Sequence, residues 1–163
     1  MIPASEPHQP AIALEDFLPY RLNVLSARVS TALAGIYEER FGLGIPEWRV
    51  LATLGQFETC TARDITAHSF MHKSTTSRAV SALARRGLIA RAANPDDKRE
   101  ELLTLTQEGR AVYGAIVPEA LAFSERLEAA LAPAERATFV ALLERLDRHA
   151  RSLSDEPRAE AAE

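Results

Sequence analysis

A run of small hydroxyl and basic side chains, H-K-S-T-T-S-R, occupies positions 72–78. Ser and Thr hydroxyls can donate to or accept from base edges and phosphates, and a Thr methyl can contact a thymine methyl. A recognition helix directs its N-terminal residues toward base edges. We therefore predict DNA contacts from Lys73, Ser74, Thr75, Thr76 and Arg78. Taken alone, the run would favour the alternative of a capped and solvated first helical turn.

A second basic cluster follows the turn N-P-D-D, at positions 94–97. Lys98 and Arg99 lie just beyond this turn, where a long cation could reach the negative potential of a narrow minor groove. Asp97 could hold Arg99 in one rotamer. The alternative is an exposed hairpin kept polar for solubility. For Arg91, on the preceding strand, phosphate binding and pairing with a nearby carboxylate are equally favoured.

The charge is distributed unevenly along the chain. Residues 61–99 carry eight Lys or Arg against three Asp or Glu, a net charge of +5, whereas the whole 163-residue chain is at −4. A local excess of cations in an acidic protein indicates one surface that meets a polyanion. A winged-helix module that binds protein instead of DNA is a further alternative, but it would leave this segment without an obvious counter-charge.

The spacing of apolar residues predicts the elements that position these clusters. We expect helices over 19–41, 46–56, 61–69, 73–86, 107–131 and 134–152, and two short strands over 88–92 and 101–105. Thr61 and Asp64 are a capping signal for the third helix. The fold class is mainly α with a small β-hairpin wing, a winged helix-turn-helix with long terminal helices.

The long terminal helices predict a homodimer. They carry more apolar residues than a small winged domain needs, and two-fold homodimers are the commonest soluble oligomers. We expect a dimerisation helix within 14–45, a DNA-binding domain over 46–109, dimerisation helices within 110–152, and flexible tails over 1–13 and 153–163. The alternative is a self-contained helical bundle in a monomer.

Three segments together resemble the MarR family of bacterial transcription regulators. They are E-W-R-V-L-A-T-L-G from position 47, K-S-T-T-S-R-A-V-S-A-L-A-R-R-G-L-I-A-R from 73, and D-D-K-R-E-E-L-L-T-L-T-Q-E-G from 96. The resemblance covers about residues 14–152. It implies a winged-helix homodimer on an inverted-repeat operator, with Arg99 as the minor-groove arginine, Asp97 orienting it, and a recognition helix beginning at Lys73. His72 departs from the small polar residue that often precedes this Lys in relatives.

The same resemblance implies repression that a small, often anionic aromatic effector relieves; aromatic acids and their coenzyme A thioesters are plausible by likeness. Candidate effector-binding residues are Arg21, Asn23, Ser26, Arg28 and Trp48. An Arg and a Trp could clamp an aromatic carboxylate by charge and stacking. The more frequent alternative is that the arginines form intersubunit ion pairs and that Trp48 belongs to the core.

Other functions receive less support from the sequence. A regulator that senses oxidants through Cys60, or one that binds a metal through Cys60, His68 and His72, is an alternative with the same fold. We find no phosphate loop, nucleophile elbow or metalloprotease motif, so we expect neither an enzyme nor a cofactor. The sequence shows no secretory signal or apolar membrane span, and one Cys fits a reducing compartment, so we expect a cytoplasmic protein.

Overall fold

The computed structural model describes residues 12–155 of the chain, within two compact units that divide between Ala120 and Leu121. The segments 1–11 and 156–163 of the tails predicted from sequence lie outside the described residues. The elements run in the order α1 Leu18–Ala34, α2 Glu38–Phe41, α3 Ile45–Phe57, β1 Thr59–Thr61, α4 Ala62–Ser69, α5 Lys73–Arg85, β2 Ile89–Ala93, β3 Glu101–Leu105, α6 Gln107–Glu128 and α7 Pro133–Asp155. The mainly helical winged fold predicted from the sequence is confirmed.

The first predicted helix is not continuous to residue 41. It ends at Ala34, and a turn over 35–37 separates it from the four-residue helix α2. Two hydrogen bonds between residues three positions apart tighten this turn. Ile36 N–H donates to the carbonyl of Leu33, and Tyr37 N–H donates to that of Ala34. The break lets Tyr37 point into the core, where it is almost fully buried. Burial of this ring overrides the regular apolar spacing that predicted one long helix.

The wing belongs to a three-stranded antiparallel sheet rather than to an isolated hairpin. The strand order is β1-β3-β2, so β3 is central. In the wing hairpin Ile89 pairs with Leu105 and Ala93 with Glu101, while Cys60 of β1 pairs with Leu103 on the other side. Strand β1, with three residues, is not among the strands predicted from the sequence. Its pairing attaches the start of α4 directly to the wing.

The helix-turn-helix packs against α3 and the sheet through one apolar core. On α5 the buried residues Ala79, Val80 and Leu83 recur at helical spacing and face this core. Ile65 of α4 and Leu51 of α3 are fully buried in the same cluster. The core therefore fixes which side of α5 remains open to solvent.

The remaining terminal helices expose large apolar side chains. In the first unit, α1 leaves Leu18, Tyr20, Leu22 and Leu25 exposed. In the second unit, every described side chain of α7 is exposed, including those of Phe139, Val140, Leu142, Leu143 and Leu146. Monomeric soluble proteins seldom expose contiguous apolar surfaces of this kind.

Candidate nucleic-acid interface

The helix-turn-helix begins with a complete capping box. The Thr61 hydroxyl accepts a hydrogen bond from Asp64 N–H (3.1 Å), and the Asp64 carboxylate accepts from Thr61 N–H (2.9 Å). The hydrogen bonds that the Asp64 carboxylate accepts from the Thr61 N–H and from the Thr61 hydroxyl lower the pKa of Asp64. The predicted capping signal is thereby confirmed, and it fixes the start of α4 beside β3.

The exposed start of α5 presents most of the predicted contact residues. Lys73, Ser74 and Arg78 are exposed and Thr75 is partly exposed. His72 occupies the N-cap position but its side chain makes no capping hydrogen bond. Because the N-cap residue is His72, no Ser or Thr of this run holds that position, so the capping role offered as the alternative does not apply to them.

Thr76 is an exception, and the prediction that it contacts bases is wrong. Its side chain is 1% exposed and lies on the core side of α5. The Thr66 hydroxyl donates to the Thr76 hydroxyl oxygen at 3.0 Å, and the Thr76 hydroxyl donates to the carbonyl of His72 at 3.4 Å. Thr76 therefore joins α4 to α5. Ser77, which the sequence analysis did not select, is exposed and faces the interface.

This correction changes the mutational expectation for the recognition helix. Thr76→Val should lower the free energy of unfolding by about 1 kcal/mol, because a buried hydroxyl pair is lost. Ser77→Ala should leave unfolding unchanged and weaken DNA binding by about threefold, the value of one hydrogen bond. Chemical denaturation and anisotropy titration of both variants measure the two effects. A weaker DNA complex of the Val variant at unchanged stability would contradict the buried role.

The wing carries a preorganised arginine. Asp97 accepts two hydrogen bonds from the Arg99 guanidinium, from Nε to Oδ1 and from Nη2 to Oδ2, both 3.0 Å, and a third from Arg99 N–H. The fork lowers the pKa of Asp97 and raises that of Arg99, so the pair stays ionised. The Arg99 side chain is nevertheless 88% exposed. The predicted orienting contact between Asp97 and Arg99 is present, and Lys98 beside it is exposed.

Arg91 is paired rather than free. Its Nη1 lies 3.0 Å from the Glu101 carboxylate across the hairpin, and its Nη2 donates to the Ser81 hydroxyl of α5 at 3.4 Å. Of the two uses that the sequence left open, pairing with a carboxylate is present. The contact to Ser81 also ties the wing to the recognition helix.

These elements enclose an open groove with a volume of about 810 Å³. It runs between the helix-turn-helix and the wing, and we call it the wing groove. Lys73 and Ser77 of α5 line one side, and Arg91 and Arg99 of the wing line the other. The groove therefore joins the predicted contacts of the recognition helix to those of the wing, as one continuous surface for a polyanion.

The predicted effector residues differ in burial. Trp48 is 9% exposed and stacks between Tyr37 and Tyr113, with ring centroids 5.4 Å and 6.1 Å away. Desolvation of the buried Tyr37 hydroxyl raises its pKa to about 12. Trp48 is thus a core residue, which is the alternative that the sequence left open for it, and its effector role stays a prediction. Arg21, Asn23, Ser26 and Arg28 are exposed on α1.

The thiol and metal alternatives gain no support from the site. Cys60 lies in β1 and is buried. Desolvation, followed by the nearby Asp64 charge, raises the pKa of its thiol, whereas a reactive thiol needs a lowered pKa. Within residues 12–155, no three His, Cys, Asp or Glu side chains are grouped as metal ligands. No helix in this range is long and apolar enough to cross a membrane.

Comparisons with known proteins agree with the fold described above. A MarR family model matches residues 41–100, which contain the helix-turn-helix and most of the wing. The chain is 32% identical over 102 residues to the uncharacterized HTH-type transcriptional regulator YwoH of Bacillus subtilis, covering 63% of this chain and 74% of that protein. The match to YwoH extends over most of that regulator's length.

Solved structures extend the likeness to nearly the whole chain. A MarR family regulator from Silicibacter pomeroyi is 29% identical with a TM-score of 0.70, over 91% of this chain and 96% of its own. BpsR of Bordetella bronchiseptica, whose DNA binding is regulated by 6-hydroxynicotinic acid, is 27% identical with a TM-score of 0.65, over 78% of this chain and 98% of its own. The chain therefore belongs to the MarR family of winged helix-turn-helix transcriptional regulators, and it is a DNA-binding protein.

Proposed function

We propose that the protein is a cytoplasmic homodimeric repressor that binds an inverted-repeat operator and is released from it by a small aromatic carboxylate. The observation that carries the DNA-binding mode is the fork between Asp97 and the exposed Arg99, on the same groove as the start of α5. A guanidinium already held in one rotamer loses little entropy on docking. It is therefore suited to enter a narrow minor groove.

Each subunit would contribute one recognition helix and one wing. Lys73, Ser74, Thr75, Ser77 and Arg78 would contact bases and phosphates in the major groove, with Arg99 in the flanking minor groove. Lys98 would contact a neighbouring phosphate, and Arg91 would do so after exchanging its carboxylate partner. Two such subunits imply DNA half-sites about 34 Å apart, which is one turn of the double helix.

The exposed apolar side chains support the homodimer. A second copy of the chain would cover those of α1 and of α7, which are exposed within each unit of one chain. Isologous contact between identical helices is the simplest way to bury such surfaces. In this proposal, dimerisation belongs to parts of residues 14–45 and 110–152, and DNA binding to residues 46–109.

The effector proposal rests on chemistry and on one similar protein. Arg21 and Arg28 are exposed cations on α1, and a guanidinium binds a carboxylate through two parallel hydrogen bonds. The similar regulator BpsR responds to an aromatic carboxylic acid. A ligand that favours the geometry unable to bind DNA by about 1–3 kcal/mol is sufficient to weaken binding by up to about a hundredfold.

Two measurements test the repressor proposal: the mass of the protein in solution, and its release from operator DNA when an effector is added. Sedimentation equilibrium should give a dimer at micromolar concentration. A fluorescent operator complex should then dissociate with 6-hydroxynicotinic acid or benzoates, but not with nicotinamide, which lacks the carboxylate. Arg21→Ala and Arg28→Ala should reduce the response while retaining operator affinity. A monomeric protein would contradict the homodimer, and equal release by acid and amide would contradict carboxylate recognition.

A further inference from the structure

The arginines of the wing groove are all matched by acidic side chains. The cations that line the groove are Arg63, Lys73, Arg91 and Arg99. The anions that line it are Asp97, Glu100 and Glu101. The groove therefore carries a formal charge of +1, although four cations face it. Asp97 orients Arg99, but phosphate binding does not explain why Glu100 and Glu101 lie at the same place.

Two of these pairs connect separate elements. Arg63 Nε of α4 lies 3.4 Å from an oxygen of Glu100, the last residue of the wing turn. Arg91 Nη1 of β2 lies 3.0 Å from a Glu101 oxygen of β3. By contrast, the two hydrogen bonds between Asp97 and the Arg99 guanidinium lie within the wing turn. Among the described residues, only Lys73 of the four groove cations has no ion pair.

The two pairs are expected to add little stability. The side chains of Arg63 and Glu100 are 75% and 20% exposed, and those of Arg91 and Glu101 are 36% and 54% exposed, so each pair has at least one partner in contact with solvent. Exposed ion pairs contribute little to the free energy of unfolding, because water and salt screen them and because ordering two long side chains costs entropy. Their position on the DNA-facing groove is therefore the informative property.

We propose that Glu100 and Glu101 are affinity-limiting residues that compete with DNA phosphates for Arg63 and Arg91. This inference rests on the proposed function, since it requires DNA to occupy the wing groove. It also adds Arg63, which the sequence analysis did not select, to the phosphate-binding residues. A phosphate that enters the groove displaces each carboxylate from its arginine and is repelled by the carboxylate that remains nearby.

The two glutamates should act on the sequence-independent part of binding. Phosphate contacts supply nearly all non-specific affinity and contribute to specific affinity as well. Glu100 and Glu101 have no base-reading role in this account. Neutralising one of them should therefore strengthen binding to operator and to scrambled DNA by the same factor, and leave the ratio of the two affinities unchanged.

The test compares Glu100→Gln, Glu101→Gln and the double variant with the control Glu108→Gln. Glu108 is exposed on α6 and does not line the groove. Each single groove variant should bind both DNAs about threefold more tightly per subunit, or about tenfold per dimer, at low salt. The gain should shrink as ionic strength rises. The control should bind as the parent protein does, and thermal melting should show all variants folded.

Three outcomes separate the possibilities. Weaker binding by the Gln variants would overturn the proposal, because the glutamates would then be orienting the arginines for DNA. Unchanged binding, with Arg99→Ala still defective, would overturn only the proposal about the two glutamates. Unchanged binding in the Gln variants together with an Arg99→Ala variant of parental affinity would overturn the proposed DNA-binding mode itself.

Discussion

Replacing Arg99 by alanine is expected to weaken operator binding by on the order of tenfold per subunit, and about a hundredfold in the dimer. The substitution removes an exposed guanidinium that Asp97 already holds through two 3.0 Å hydrogen bonds. The salt dependence should also become shallower, by about one unit of slope per subunit, because one phosphate-region contact is lost from each wing. Anisotropy titrations across a salt series measure both quantities.

Arg99→Lys is the matched control for this effect. It keeps the positive charge but removes the planar group that pairs with both Asp97 oxygens. If preorganisation matters, the Lys variant should retain most of the salt slope and recover only part of the lost affinity. Full parental affinity in the Lys variant would show that the contact of Asp97 with Arg99 does not contribute to DNA binding. Parental affinity in the Ala variant would remove Arg99 from the interface.

Gly109→Ala should produce the largest loss of stability, about 3 kcal/mol in the free energy of unfolding. A Cβ at this position would lie 1.9 Å from the carbonyl oxygen of Leu88. That oxygen already accepts a hydrogen bond from Thr106 N–H at 3.1 Å. Neither the new Cβ nor the carbonyl oxygen can rotate away as a flexible side chain would. The beginning of α6 must therefore move away from the backbone of Leu88, just before β2. Urea unfolding followed by circular dichroism measures the change.

Gly114→Ala provides the internal comparison. Gly114 belongs to the same helix and is exposed, and a methyl group at its Cα would meet no atom of another element within 4 Å. Here alanine should raise the free energy of unfolding by about 0.5–1 kcal/mol, because it restricts the unfolded chain and favours helix. A destabilised Gly114→Ala variant would show that the loss at Gly109 reflects the helix generally and not the approach of Leu88.

The sequence is sufficient to predict those features of the structure that depend on neighbouring residues. Thr61 with Asp64 predicts the start of α4, and the turn residues after Ala93 predict the wing hairpin. Both signals act over three or four residues, so no distant partner is needed to interpret them. The orienting contact of Asp97 with Arg99 is equally local, since the two residues are two positions apart.

Thr76 is wrongly predicted as a base contact, although its spacing in the sequence indicates that it is buried. It precedes Ala79, Val80 and Leu83 by three, four and seven positions, which places it on the same buried face of α5. The residue type, a hydroxyl in a polar run, outweighed the helical spacing in the prediction. Ser77, one position later, falls on the open face.

Other features depend on contacts between distant parts of the chain. Strand β1 has only three residues and forms because it pairs with β3, more than forty positions away. The pair of Arg63 with Glu100 likewise joins residues from different elements. No local pattern in the sequence specifies which carboxylate an arginine will meet. The limited charge of the wing groove is therefore evident only from the folded chain.

The most direct test of the central claim is a fluorescence-anisotropy titration of the protein onto an inverted repeat from upstream of its own gene, beside a scrambled duplex, across a salt series. We predict saturation at two subunits per site, at least a thousandfold preference over the scramble, and affinity that falls steeply as salt rises. Equal, weak binding to both duplexes would contradict the account. A selection from genomic fragments that also enriched no sequence would then exclude sequence-specific recognition by this winged helix.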